Sequence, residues 1–186
     1  MSNVAHLETP MSPAEYLAAE AEAAFKSEYV AGFLYAMAGG SKRHNQISVA
    51  LVGSLFPQVK RPCQVYAADF KVRIEHDQQT FFYYPDVFVS CRDDKENRHF
   101  DDGPVVIAEI LSPTTGRSDR LEKFENYKTL ATLQNYLLIS QDIPRIEIFR
   151  RKAGWRSEVH IIGDTIALDG VAAQVVVSEI YSRVDF

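Results

Sequence analysis

Asp86, Glu109 and Lys123 are the residues of this chain whose types and setting could do chemistry together. Glu109 stands in "VVIAEILS", where seven of eight residues are apolar or small, the pattern of a central strand buried on both faces. A carboxylate buried there without a partner would shift its pKa and neutralise, so Glu109 needs a compensating group. Asp86 poses the same problem. It follows Pro85, whose missing N–H suits a strand start or an edge, and it leads into Val87, Phe88 and Val89. If the strands of 81–90 and 105–111 are neighbours, the two acids meet. Two like charges that close cannot both stay ionised in a dry site unless a cation lies between them. A divalent ion is the simplest such cation, and two carboxylates plus waters suit Mg²⁺, with Mn²⁺ as the alternative. Taken singly, Asp86 fits a strand cap equally well, and Glu109 fits a buried acid answered by an arginine.

A second possible answer to Glu109 comes from "SDRLEKFENYKTLA". Wound at about 100° per residue, it puts Leu121, Phe124, Tyr127, Leu130 and Ala131 on one arc, with Lys123 and Arg120 inside it. Glu122, Glu125, Asn126 and Thr129 fall on the opposite, solvated side. Lys123 can therefore reach the buried acids, or it can snorkel to water. Tyr127, one turn on, either hydrogen-bonds into the same site or packs in the core. Ser118 or Asp119 is the expected helix cap, and Pro113 and Gly116 supply the turn before it.

These elements need a scaffold, and the chain has the length of one domain with a core at about 12–150. No apolar run approaches the roughly 20 residues of a membrane span, and the N-terminus has no signal-peptide pattern, so a cytoplasmic protein with no membrane partner is expected. Cys63 and Cys91 lack metal-ligand spacing and are expected as reduced, buried thiols, with a disulfide as the alternative. The net charge of −5 argues mildly against a nucleic-acid partner, because phosphate binding is driven by Lys and Arg.

The pattern predicts an α/β fold. A first helix begins at Ser12-Pro13 with Glu15 completing a capping box. A small hairpin lies in "YVAGFLYAMAGG". A second helix, in "SKRHNQISVALVGSLFPQ", carries Ile47, Ala50, Leu51, Ser54 and Leu55 at helical spacing. "CQVYAADFKVRIEH" and "QTFFYYPDVFVSC" are expected as one antiparallel hairpin, and "RDDKENRHFDDGP" as a charged loop. "QNYLLIS" is a further strand, "PRIEIFRRKAGWRSEVHII" another hairpin, and the C-terminal end adds short antiparallel strands. Together these make a mixed sheet flanked by helices.

The ordered set "PDVFV", "AEILSPTT" and "DRLEKFENY" resembles the Uma-type restriction-endonuclease family, a branch of the PD-(D/E)XK nuclease superfamily. "EYVAGFLYAMAGGSKRHNQIS" resembles the family's N-terminal block, and "AADFKVRI" its first hairpin strand. The likeness runs from about Glu15 to Ile139. It implies a single restriction-endonuclease-like domain and a Mg²⁺-dependent endonuclease acting on DNA. It makes Asp86 the acid of the PD element and Glu109 the acid of the (D/E)XK element, both metal ligands. Leu111 stands where the superfamily usually has Lys, and Lys123 takes that role from the following helix. Phe33 stands where the family often has Glu, which leaves Glu28 as the N-terminal acid. His44 matches the block after the glycine turn, with a surface or core histidine as its alternative. Asp69 and Arg120 are candidate supporting residues, and Lys42, Arg43, Arg117 and Arg120 could follow a phosphate backbone. A homodimer is an open alternative to a monomer. Two other functions fit the same residues: a nuclease fold kept as an inactive binding or assembly module, or a nuclease for RNA or branched DNA.

Overall fold

The computed structural model describes residues 4–5, 10–37, 39–92, 99–112 and 119–186, with side chains from residue 10 onward except those of 119 and 120. Strand β1 (Val4–Ala5) precedes helix α1 (Pro13–Glu22). The capping box forms: Ser12 N–H donates to Glu15 Oε2 at 2.8 Å, and Glu15 N–H donates to Ser12 Oγ at 3.3 Å. Strands β2 (Ser27–Val30) and β3 (Phe33–Ala36) make the small hairpin. Its turn residues Ala31 and Gly32 both have positive φ, the requirement of a tight two-residue turn. A Cβ on Gly32 would also come within 2.7 Å of Pro10.

Helix α2 (Lys42–Leu55) is capped by Ser41 and buries Ile47, Leu51 and Leu55, one stripe at i, i+4 and i+8. Each of those side chains gains roughly 1.5–3 kcal/mol by leaving water. There follow β4 (Gln64–Ala67), β5 (Lys71–His76), β6 (Gln79–Tyr83), β7 (Val87–Ser90), β8 (Phe100–Asp101) and β9 (Pro104–Leu111). A π-helical turn, Asp119–Lys123, runs into helix α3 (Phe124–Lys128). The rest is β10 (Asn135–Ser140), β11 (Arg145–Arg150), β12 (Ser157–Ile161), β13 (Thr165–Ala167), β14 (Gln174–Val176) and the short helix α4 (Val177–Ile180).

Two six-stranded sheets result, ordered β1-β3-β2-β6-β5-β8 and β12-β11-β10-β9-β7-β4, beside the small β13-β14 pair. In the second sheet β9 and β10 are parallel and every other pair is antiparallel. One apolar core lies between this sheet and α2, β14 and α4; another lies on its opposite face under α3, against β5 and β6.

The hairpin expected across residues 63–91 is divided between the sheets. Its first half pairs β4 with β7 and its second half pairs β5 with β6. Pro85 has no N–H to continue the ladder, and Ala68 opposite adopts positive φ, so both strands break at the same level and the sheets diverge there. Ala68 N–H donates to Asp86 O at 3.2 Å across that break. The cysteines also differ from expectation. The β4–β7 register pairs Gln64 with Ser90, which sets Cys63 opposite Cys91, and the two form a disulfide. A separation of 28 residues in sequence hides that proximity.

Candidate active site

The point where the sheets diverge is where the acids gather. Asp86 occupies the break between β6 and β7, so its side chain can turn toward β9. Asp86 Oδ2 accepts the Ile110 N–H at 2.7 Å and lies 3.1 Å from His44 Nε2. Asp86 N–H in turn points at Glu109 Oε2 at 3.4 Å, the long limit of a hydrogen bond. Glu109, 2% exposed, sits in β9 on the face toward α3. Its Oε1 accepts the Tyr127 hydroxyl at 3.1 Å.

Lys123 is only 7% exposed. Its ammonium is 2.7 Å from Glu28 Oε1 and 3.6 Å from Glu109 Oε1, and it lies over the Tyr83 ring at 5.4 Å. Glu28 comes from β2 of the other sheet, where Tyr84 N–H also donates to its Oε1 at 3.2 Å. Two sheets and one helix thus converge on four groups: Asp86, Glu109, Glu28 and Lys123. Tyr127 is fully enclosed. Burial raises its phenol well above the ordinary value, and the charges of Glu109 and Glu28 push it further the same way. It serves Glu109 as a hydrogen-bond donor.

The structure brings His44 and Tyr127 to the cluster but not Asp69, which is 81% exposed and paired with Lys26. Asp69 lies in the stretch between β4 and β5, at the surface side of the break. The Arg120 side chain, with Arg117 and Ser118, falls outside the described residues. Leu121 was expected on the buried arc and is 58% exposed, and Ala131 is exposed beyond the end of α3. The π turn explains Leu121: with i→i+5 bonding the phase before Phe124 is no longer that of a 3.6-residue helix.

Tyr83, Tyr84 and Asn126 are the neighbours that the sequence did not disclose. Asn126 was placed on the solvated side, yet its Nδ2 donates to Tyr83 Oη at 2.7 Å. Tyr83 Oη donates in turn to Glu122 Oε1 at 3.4 Å. Asn126 stands three residues after Lys123, so the i, i+3 relation was the available signal.

Among the described residues no group of three His, Cys, Asp or Glu side chains is arranged to hold an ion unaided. The hard carboxylate oxygens of Asp86 and Glu109 fit Mg²⁺, which keeps several waters and takes one or two protein carboxylates.

Comparison with other proteins settles the family. The model described as "Uma2: Putative restriction endonuclease" matches residues 13–177. The chain belongs to this family. Within the range of the Uma2 match lie all four clustered groups, His44 and Tyr127. The Synechocystis sp. (strain ATCC 27184 / PCC 6803 / Kazusa) protein slr1290 is 33% identical over 180 residues, spanning 95% of this chain and 94% of its own. A second protein of that strain, sll1609, is 32% identical over 145 residues, 76% of this chain and 81% of its own. Among solved structures, one from Anabaena variabilis ATCC 29413, described as "a putative nuclease belonging to DUF820", superposes with a TM-score of 0.71 at 19% identity. It covers 93% of this chain and 98% of its own. The fold is the restriction-endonuclease-like mixed sheet flanked by helices. Among the described residues no helix is long and apolar enough to cross a membrane.

Proposed function

We propose that this Uma2-family chain is a Mg²⁺-dependent endonuclease that hydrolyses phosphodiester bonds of DNA, with Asp86 and Glu109 holding the metal. The observation that carries the reading is the convergence of Glu28 and Glu109 on the Lys123 ammonium with Asp86 beside them, where the two sheets part. Mn²⁺ can replace Mg²⁺ in such a site.

Bound Mg²⁺ would polarise a phosphoryl oxygen and lower the pKa of a water. The chain's own groups supply the rest. Tyr127 donates to Glu109 Oε1, and the Ile110 N–H and His44 fix Asp86 Oδ2, so both carboxylates are oriented before substrate arrives. Glu28 holds the Lys123 ammonium in the cleft. From there Lys123 orients the attacking water and offsets negative charge that develops on the phosphate, an effect strongest where water is excluded. Support for nucleic acid as the substrate comes from the family description and from the name carried by the Anabaena structure.

The test is cleavage of supercoiled plasmid and of single-stranded and branched oligonucleotides with Mg²⁺, Mn²⁺ or EDTA. The expected result is metal-dependent product formation that disappears in folded Lys123→Met and Glu109→Gln proteins. Failure of folded wild type to cut any of these substrates with either metal would overturn the reading, as would activity that persists in EDTA.

A further inference from the structure

Tyr83 ends strand β6, just ahead of the break at Pro85, and is buried in the core under α3. Its ring meets Tyr127 edge-on at 5.5 Å between centroids and stacks with Phe81 at 6.1 Å. Packing alone would need no hydroxyl here, since phenylalanine fills almost the same volume. The hydroxyl is nevertheless engaged twice. It accepts from Asn126 Nδ2 at 2.7 Å and donates to Glu122 Oε1 at 3.4 Å. Both partners belong to the segment that carries Lys123, Glu122 directly before it and Asn126 one turn after it. The same ring lies 5.4 Å from the Lys123 ammonium. Tyr83 is thus tied to the turn from which the lysine projects and touches the lysine's charged end. Burial holds the phenol above its ordinary value, so the hydroxyl keeps its proton and the tie to Glu122 persists at neutral pH.

Ring and carboxylates hold the ammonium by different physics. An ion pair depends on the charge of the acid, and a carboxylate committed to a metal has less of that charge to offer. Glu109, 3.6 Å from the ammonium, is one of the two acids assigned to the metal. The face of an aromatic ring attracts a cation through its quadrupole, which no neighbouring ion neutralises. The hold of Tyr83 on Lys123 therefore outlasts that of Glu109. It is also strongest where water is excluded, and Lys123 is buried. Placement matters at such a group, because a displacement of about 1 Å can cost about a hundredfold in rate.

We propose that Tyr83 is the positioning residue of Lys123: its ring face carries the ammonium, and its hydroxyl, through Asn126 and Glu122, locks the ring to the lysine's own turn. The inference rests on the nuclease reading and adds to it a residue that acts only through Lys123. The experiment is Mg²⁺-dependent cleavage of the substrate that wild type cuts, supercoiled plasmid first, with kcat and KM measured separately. The full chain carries Tyr83→Phe or, at the same position, phenylalanine with one, two or three ring fluorines. Fluorine draws electron density from the ring face and weakens its pull on a cation, with little change of shape. Tyr83→Phe loses only the hydroxyl tie and should keep kcat within about fivefold of wild type. From there kcat should fall stepwise with fluorination, to roughly five- to thirtyfold below Tyr83→Phe at three fluorines. KM should stay within about twofold, because no contact with substrate is lost. In a Lys123→Met background, read at higher enzyme concentration, the fluorinated ring should cost nothing further. A kcat indifferent to fluorination, or an equal loss in the Lys123→Met background, would overturn the role of Tyr83 while wild-type cleavage kept the nuclease reading standing. If the fluorinated proteins fail to fold, Asn126→Ala decides, since releasing the hydroxyl should lower kcat in wild type and leave it unchanged beside Lys123→Met. Wild type that cuts no substrate with either metal would remove the nuclease reading and the role of Tyr83 with it.

Discussion

Arg150 and Lys123 are both nearly inaccessible cations against the sheet that carries β9, yet their surroundings differ in kind. Arg150 Nε donates to Glu158 Oε2 at 3.3 Å, and Nη1 reaches Ala167 O at 2.8 Å, Asn135 Oδ1 at 3.2 Å and Asp169 Oδ2 at 3.3 Å. Lys152 closes the set on Asp169 at 2.6 Å. Two cations meet two acids, and the guanidinium ties β10, β11 and β12 to the 167–169 stretch. That network balances its own charge and joins backbone elements. Around Lys123 the carboxylates of Glu28 and Glu109 gather with Asp86 beside them, and among the cluster's hydrogen bonds those from the Ile110 and Tyr84 N–H groups serve to fix the acids.

The largest expected effect falls on the balanced network. Arg150→Met removes a guanidinium that hydrogen-bonds buried Asn135 and the Ala167 carbonyl, while Asp169 keeps Lys152 and Glu158 keeps water, so unfolding free energy should fall by roughly 2–4 kcal/mol in denaturant titration. A loss below about 1 kcal/mol would mean that the seam is held by its strands alone. Lys123→Met should lower Mg²⁺-dependent cleavage by about 10²–10³-fold, the typical cost of removing one pre-oriented donor of charge stabilisation, besides destabilising the fold. Cleavage within a few-fold of wild type would make Lys123 a structural ion-pair partner like Arg150.

Smaller effects sharpen the contrast. Tyr127→Phe takes a donor from Glu109 and should cost roughly 1–3 kcal/mol at neutral pH. Its pH signature has a definite sign. The folded-state pKa of Tyr127 lies above the ordinary value of 10.0, so its contribution is fully present below about pH 10 and is lost as pH rises past that value. Tyr16, Tyr83, Tyr84 and Tyr181 are raised by burial as well, so wild type should melt progressively earlier above pH 10, and Tyr127→Phe should blunt that fall without removing it. Identical alkaline profiles would contradict the buried hydroxyl. Asp69→Ala removes only an exposed pair with Lys26 and should change stability by less than about 1 kcal/mol, with cleavage unaffected.

The same contrast marks what the sequence could disclose. An acid between apolar strand residues is anomalous wherever it stands, so Asp86 and Glu109 were visible without coordinates. Lys123 was visible because Phe124 and Tyr127 fix the helical phase next to it, whereas Leu121 lies behind the π turn, where no 3.6-residue pattern holds. Glu28 was reached only through the family resemblance, since "SEYV" has no local oddity. The alternation of residues 63–91 revealed strands but not that Pro85 splits them between two sheets, and that split creates the cleft. Asp69 stands before β5 on the surface side of that split and pairs with Lys26, in keeping with a structural role rather than with support of the site. Cys63 and Cys91 become neighbours only through the β4–β7 register, and Tyr83 and Asn126 join the site through side-chain reach that strand and helix patterns do not encode.

The claim that the Lys123 cluster takes up a divalent cation is tested most directly by melting wild type and Glu109→Gln with and without millimolar Mg²⁺. A ligand bound only by the native state at a hundredfold above its Kd adds about 2.7 kcal/mol, which for a domain of this size is a rise of roughly 5–10 °C. Wild type should show such a rise. Glu109→Gln should melt no lower than metal-free wild type, because one of the crowded acids has been neutralised, and Mg²⁺ should not shift it. A wild type indifferent to Mg²⁺ and Mn²⁺, together with a Glu109→Gln protein that melts far earlier, would place Glu109 in a structural ion pair and contradict the account.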